Sequence, residues 1–258
     1  MKLGIIQGRL STPTNNHIQE FPFHNWKNEF ELLKELGLNH IEWIITKNSY
    51  QNNPLFLENL NDLPISSVCC DHIIDNNIHN FNFLKNELYD VCEYSIRNKI
   101  FNISIPLLEQ SNMENDLRRK EFIDSILLIK NKFKQLNFIF ETELDPYKTL
   151  EIVKSDKNFY VTYDTGNVTS YLKNHELYIN VLKDKIINVH IKDRTFDSKT
   201  VYPLTGDTNF NFIFDLLNKV GYNSLYTMQL ARTETGKEIE HISNCKNIFE
   251  GLYGKYFV

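Results

Sequence analysis

Long apolar runs are missing from this sequence of 258 residues. None approaches the roughly 20 residues that a membrane-spanning helix requires, which excludes a helical membrane protein. Cysteine is scarce. Cys69, Cys70, Cys92 and Cys245 show no zinc-type pairing, and neighbours such as Cys69 and Cys70 rarely bridge each other, so all four read as buried thiols. A disulfide-stapled miniature is therefore excluded. No cluster of basic residues occurs, and 28 Lys and Arg against 33 Asp and Glu leave a formal charge of −5. Nucleic acid demands a concentrated basic surface, so no such partner is expected. Gln7-Gly8-Arg9 lacks the Gly-rich phosphate fingerprint of dinucleotide folds, and no Walker-type Gly-Lys-Ser/Thr appears, so no known motif cradles a nucleotide. Met1-Lys2-Leu3-Gly4-Ile5-Ile6 runs into a strand pattern with no signal-peptide stretch, and cytoplasm is the default expectation.

What the chain does contain is an ordinary globular composition, 41% hydrophobic and 24% charged. Short apolar, β-branched runs recur with helical patterns between them, as parallel βαβ units do. Eight can be counted: Leu3 to Gln7, His40 to Ile45, Ile65 to Cys70, Ile100 to Ile105, Phe138 to Glu141, Phe159 to Asp164, Ile186 to Ile191 and Leu225 to Leu230. Trp26, Phe30, Leu33 and Leu36 keep one helix face apolar, and Gly37 stands where a helix C-terminus wants a left-handed residue. Similar stripes cover Phe83 to Ile96, Leu117 to Phe133 and Phe210 to Val220, the last closed by Gly221. Eight strands with eight crossovers, and no linker rich in Pro, Gly or Ser, predict α/β architecture with a single (β/α)8 TIM barrel over residues 1–258. A doubly wound open sheet is the alternative. Abundant Asn, Ile and Lys read as a genomic bias and add no clue.

In such a barrel the chemistry sits at the C-terminal strand ends. Strand five ends on Glu141, strand six on Asp164, strand seven contains His190, and strand eight contains Gln229. Two carboxylates, an imidazole and an amide oxygen on successive strands suit one divalent ion, Mn²⁺, Mg²⁺, Co²⁺ or Zn²⁺. Each residue also has a plainer reading. Glu141 could cap the helix starting near Pro146, Asp164 could close an Asp-Thr-Gly turn, and His190 and Gln229 could be satisfied interior groups. Their common edge favours the metal reading.

Six segments carry a more specific resemblance: Gly4-Ile5-Ile6-Gln7-Gly8-Arg9-Leu10, Ile41-Glu42-Trp43, Phe140-Glu141-Thr142, Tyr163-Asp164-Thr165-Gly166-Asn167, Val189-His190-Ile191-Lys192-Asp193 and Thr205-Gly206-Asp207. In order and through nearly the whole chain, they resemble the sugar phosphate isomerase/epimerase family of the xylose isomerase-like TIM barrels. The resemblance implies one divalent metal held by Glu141, Asp164, His190 and a fourth residue, where the family usually has Glu. Gln229 departs at that place. An amide brings no charge and moves no proton at neutral pH. The ligand set thus offers −2 rather than −3, and epimerisation by two paired glutamates loses a partner.

Cations near the predicted mouth point to an anionic substrate. Arg9 follows strand one, Lys192 and Arg194 follow strand seven, and Arg232 follows strand eight. The alternative is that they pair with Asp193, Asp207 or Glu234 at the rim. Asn167 and His72 complete the expected substrate contacts. Glu141, Glu42 or Glu109 would move the proton. Trp43, Phe21, Phe23 and Trp26 would wall the pocket or fill the outer layer. The expected activity is metal-dependent isomerisation or epimerisation of a small anionic or neutral carbohydrate, a sugar or sugar phosphate, through an enediolate. A dehydratase of a sugar or inositol-type substrate would leave nearly the same trace. A catalytically degenerate binding protein is the third reading, supported by Gln229. The abasic-DNA endonuclease branch of the fold needs further strand-end histidines, and Asn167 stands where one would be. A homo-oligomer is left open.

Overall fold

Alternating inward and outward side chains become a closed wall when enough strands pair in parallel. In the computed structural model, which describes residues 1–14 and 17–257, all eight predicted runs are strands of one closed barrel. They are Lys2–Ile6, Ile41–Ile44, Ile65–Cys69, Asn102–Leu107, Asn137–Thr142, Phe159–Asp164, Ile186–Ile191 and Leu225–Met228. They follow chain order around the barrel, and the first closes in parallel against the last. Register pairs Asp164 with His190 and His190 with Thr227. Gln229, two residues beyond Thr227, shares its inward direction.

The predicted helical stripes form Trp26–Glu35, Phe81–Arg97, Asp116–Lys132 and Phe210–Lys219, and further helices cover Pro146–Lys154, His175–Leu182 and Glu238–Tyr256. Gly37 and Gly221 follow two of them at φ of 64° and 71°, with nothing within 4 Å of a Cβ placed there. Glycine is used there for left-handed backbone rather than for space. Asparagine has a clear local use. The side chains of Asn80, Asn115, Asn174 and Asn209 each accept the backbone N–H three residues on, capping the helix that follows.

One crossover differs from the expectation that helices fill every gap. Between strands two and three lie only the single 3₁₀ turns Tyr50–Asn52 and Pro54–Phe56. Asn53 explains the break, because its side-chain oxygen accepts both the Trp43 indole N–H at 2.8 Å and the Leu55 N–H. A side chain that ties the loop to the barrel wall competes with a regular helix. Trp43 itself is fully buried among Phe21, Trp26 and Phe30, in the layer between barrel and helices rather than at the pocket. Beyond strand seven, Asp193–Arg194 and Thr200–Val201 form a small antiparallel hairpin. No described helix is long and apolar enough to cross a membrane.

Candidate metal centre

Carboxylates buried on apolar strands need counter-charge or hydrogen bonds. Glu141, Asp164 and His190 meet this need together: one potential ligand atom from each lies within 4.8 Å of the others, and all three residues are buried. His190 Nδ1 is 3.3 Å from Glu141 Oε2 and 3.9 Å from Asp164 Oδ2. Burial works against a charge on His190, but Glu42 and Glu141 outweigh it and push the imidazole up to about 10. Burial likewise opposes the charge on Asp164, yet Lys192, His190 and Arg194 hold its carboxyl below the usual range.

Local turn chemistry aims both acids. Asp164 Oδ1 accepts the Asn167 N–H at 2.7 Å, capping the turn Thr165–Asn167, while Oδ2 faces His190 and lies 3.0 Å from Lys192 Nζ. Asp164 thus closes the Asp-Thr-Gly turn with one oxygen and turns the other toward His190 and Lys192. The Asn167 side chain donates to Glu141 Oε1 at 2.8 Å. Asn167 is thus an orienting group between the two acids, a correction to its expected contact with substrate. It is 1% exposed and does not line the cavity.

That cavity, of about 240 Å³, opens above the acids and has Glu141 and Gln229 in its wall. Arg9, Lys192 and Arg194 supply cations to it, and Asp71 and Glu109 face it from strands three and four. A second space of about 350 Å³ shares Asp71 and Glu109 and extends past Phe21, Phe23 and Lys47. Arg9 is anchored by donating from Nε to the Leu230 carbonyl at 3.0 Å, and burial and Arg232 lower it to about 9.

Three expected site residues lie elsewhere. Glu42 is fully buried beneath His190, its Oε2 2.7 Å from Nε2, so it does not face the cavity as a base. His72 stacks on Tyr50 with ring centroids 4.6 Å apart and lies 3.7 Å from Glu87, directed into the helix layer. Arg232 holds the first loop, donating to the Gly8, Ser11 and Ile18 carbonyls. In each case the strand or loop direction was set by contacts far along the chain. The rim-pairing alternative for the cations also fails for its named acids. Asp193 accepts the Gly206 and Thr208 amides, Asp207 accepts the Phe196 amide, and Glu234 pairs with Lys237. Arg194 instead approaches Glu143 at 3.8 Å.

Two acids at the site were missed in the sequence. Asp71 follows strand three directly and is pushed up to about 6 by burial, with Glu141 adding to the shift. Glu143 stands two residues beyond Glu141. The strand-end rule that selected the other four residues covers both positions.

The donor set fits a divalent ion. Two hard carboxylate ligands and an imidazole suit Mn²⁺, Co²⁺ or Zn²⁺. Asp164 Oδ2, His190 Nδ1 and Gln229 Oε1 are among the buried side-chain atoms of the described residues that have no hydrogen-bond partner. Unpaired buried polar atoms are costly, and an ion would satisfy all three.

The fold is a (β/α)8 TIM barrel similar to those of solved xylose isomerase domain proteins and sugar epimerases. No family model and no curated protein matches the chain. Solved structures do match across nearly its whole length. The IOLI protein crystallised with a zinc atom is 16% identical, with 99% of each chain covered and a TM-score of 0.69. A probable 3-DHS dehydratase, AsbF of Bacillus anthracis, is 14% identical over 97% of this chain and 99% of its own, with a TM-score of 0.69. An L-ribulose 3-epimerase is 12% identical over 98% and 95%, with a TM-score of 0.70. At these identities the likeness establishes the shared barrel, while the site has to be read from its own residues.

Proposed function

We propose that the chain is a metal-dependent isomerase or epimerase of a small sugar or sugar phosphate, working by proton transfer through an enediolate. The observation that carries this is the convergence of Glu141, Asp164 and His190 beside a cavity whose wall includes Gln229. Zinc in one structural neighbour and sugar epimerisation in another support it. Glu141, Asp164, His190 and Gln229 would hold the ion, which supplies Lewis acidity toward a carbonyl and its adjacent hydroxyl.

The chain's own groups would do the rest. Arg9, Lys192 and Arg194 orient an anionic or hydroxyl-rich substrate along one wall. Glu141 takes the carbon-bound proton. Gln229 cannot return it, so the second proton carrier would be another acid of the cavity wall, Asp71 or Glu109. Asp71, pushed up to about 6, is the better placed to hold a proton near neutrality.

Dehydration is the second reading, because one base and one protonated acid suffice for it and because one structural neighbour is a probable dehydratase. The test is metal content after purification, with solvent deuterium incorporation into a panel of ketoses and ketose phosphates. The expected result is one divalent ion per chain and exchange that Glu141→Gln reduces by about 10²-fold or more. Bound metal with loss of water from the substrate selects dehydration. A metal-free protein that exchanges nothing overturns both.

A further inference from the structure

Glu42 is an anion set between Ile41 and Trp43 and fully buried inside the barrel, away from the cavity. Its Oε2 accepts from two groups at once: His190 Nε2 at 2.7 Å and Asn188 Nδ2 at 3.2 Å. An ionised carboxylate only accepts, so the hydrogen between Glu42 and His190 is assigned to Nε2. The opposite ring nitrogen, Nδ1, faces Glu141 and Asp164 and has no hydrogen-bond partner among the described residues.

The polarity of this arrangement extends downward. Thr227 Oγ1 donates to Asn188 Oδ1 at 2.9 Å and lies 3.1 Å from His40 Nε2. The single hydroxyl proton is committed to Asn188, so His40 Nε2 is the donor to Thr227. Each donor in the chain His40, Thr227, Asn188 points toward Glu42. That order fixes the Asn188 amide with its N–H on the carboxylate.

We infer that Glu42 is a positioning residue: the carboxylate, oriented by Asn188, Thr227 and His40, fixes His190 with Nε2 protonated and turned away, so that Nδ1 is the nitrogen aimed at the ion site and the one that gives up its proton when the ion binds. This rests on the metal reading above and adds to it the means by which the histidine ligand is set. Carboxylate partners of ligating histidines commonly fix ring and tautomer, and their loss weakens metal affinity by about 10–100-fold.

The experiment titrates metal-stripped protein with Zn²⁺ alone by calorimetry, comparing the natural chain with Glu42→Gln. A parallel measurement records ¹⁵N shifts of His190 in the zinc-loaded natural protein. The expected results are one Zn²⁺ per natural chain, binding weakened by about 10–100-fold in E42Q at an unchanged circular dichroism spectrum, and a protonated Nε2 with Nδ1 bearing the metal shift. Equal affinity in E42Q, or metal on Nε2, overturns the inference and leaves the metal centre standing. A natural chain that takes up no Zn²⁺ overturns the metal reading and this inference with it. If E42Q does not fold, the ¹⁵N spectrum of the natural protein decides alone.

Discussion

Gln229 concentrates the chemical question at the scale of single residues. Its buried Oε1 has no hydrogen-bond partner among the described residues and borders the same cavity as Glu141. As a neutral member of the proposed set it would leave Glu141 and Asp164 as the anionic pair, with Lys192 Nζ already 3.0 Å from Asp164. Gln229→Glu is therefore expected to tighten Zn²⁺ or Mn²⁺ binding by about tenfold, since ligand charge tunes affinity. Isothermal titration measures it, and an unchanged constant would put this side chain outside the coordination sphere. Glu141, Asp164 and His190 were legible because each interrupts an apolar run at a strand end. Glu42 interrupts such a run too, yet performs a different task. Sequence position cannot separate a residue above the imidazole from one beneath it, because both lie on inward-facing strand positions.

Among the elements, helix ends show how local chemistry supports the barrel. Asn209 caps Phe210–Lys219 by accepting the Phe212 N–H at 3.1 Å, while Gly221 closes the other end with φ of 71°. Removing the cap by Asn209→Ala is expected to cost about 1 kcal/mol, measured as a shift of the urea midpoint at constant slope. Metal affinity should not change, since that helix supplies none of the four proposed ligands. The apolar stripe and the closing glycine of this helix could be read from sequence. The crossover between strands two and three could not. Its course depends on the indole of Trp43 reaching Asn53, a tertiary contact that no helical period encodes.

The whole molecule carries its buried histidines as a stability switch. Burial lowers His40, His72 and His175 to about 4 each. Unfolded histidine titrates near about 6.5, so between there and about 4 the unfolded chain binds protons that the folded chain refuses, and stability falls on acidification. Glu29 and Asp71, pushed up to about 7 and about 6, act oppositely by holding protons in the fold, and offset part of that loss. His190, pushed up to about 10, contributes stability that is present below about 6.5 and lost as pH rises through 10 in the metal-free protein. The expected profile for metal-stripped protein is a maximum near neutrality with a decline on both sides, read as urea midpoints from pH 4 to 10. His72→Phe should flatten the acid limb while leaving the alkaline limb in place; an acid limb as steep as in the natural chain would show that His72 takes up its proton in the fold. Periodicity and strand-end polarity, both local properties, were enough to determine a parallel eight-stranded barrel and three of its meeting side chains. Only the closed barrel decided that Glu42 and His190, 148 positions apart, meet in a hydrogen bond, that His72 turns into the helix layer, and that Arg232 holds a loop. Those outcomes depend on register and on which side of the wall a side chain leaves, and both are set by pairing between strands remote in sequence.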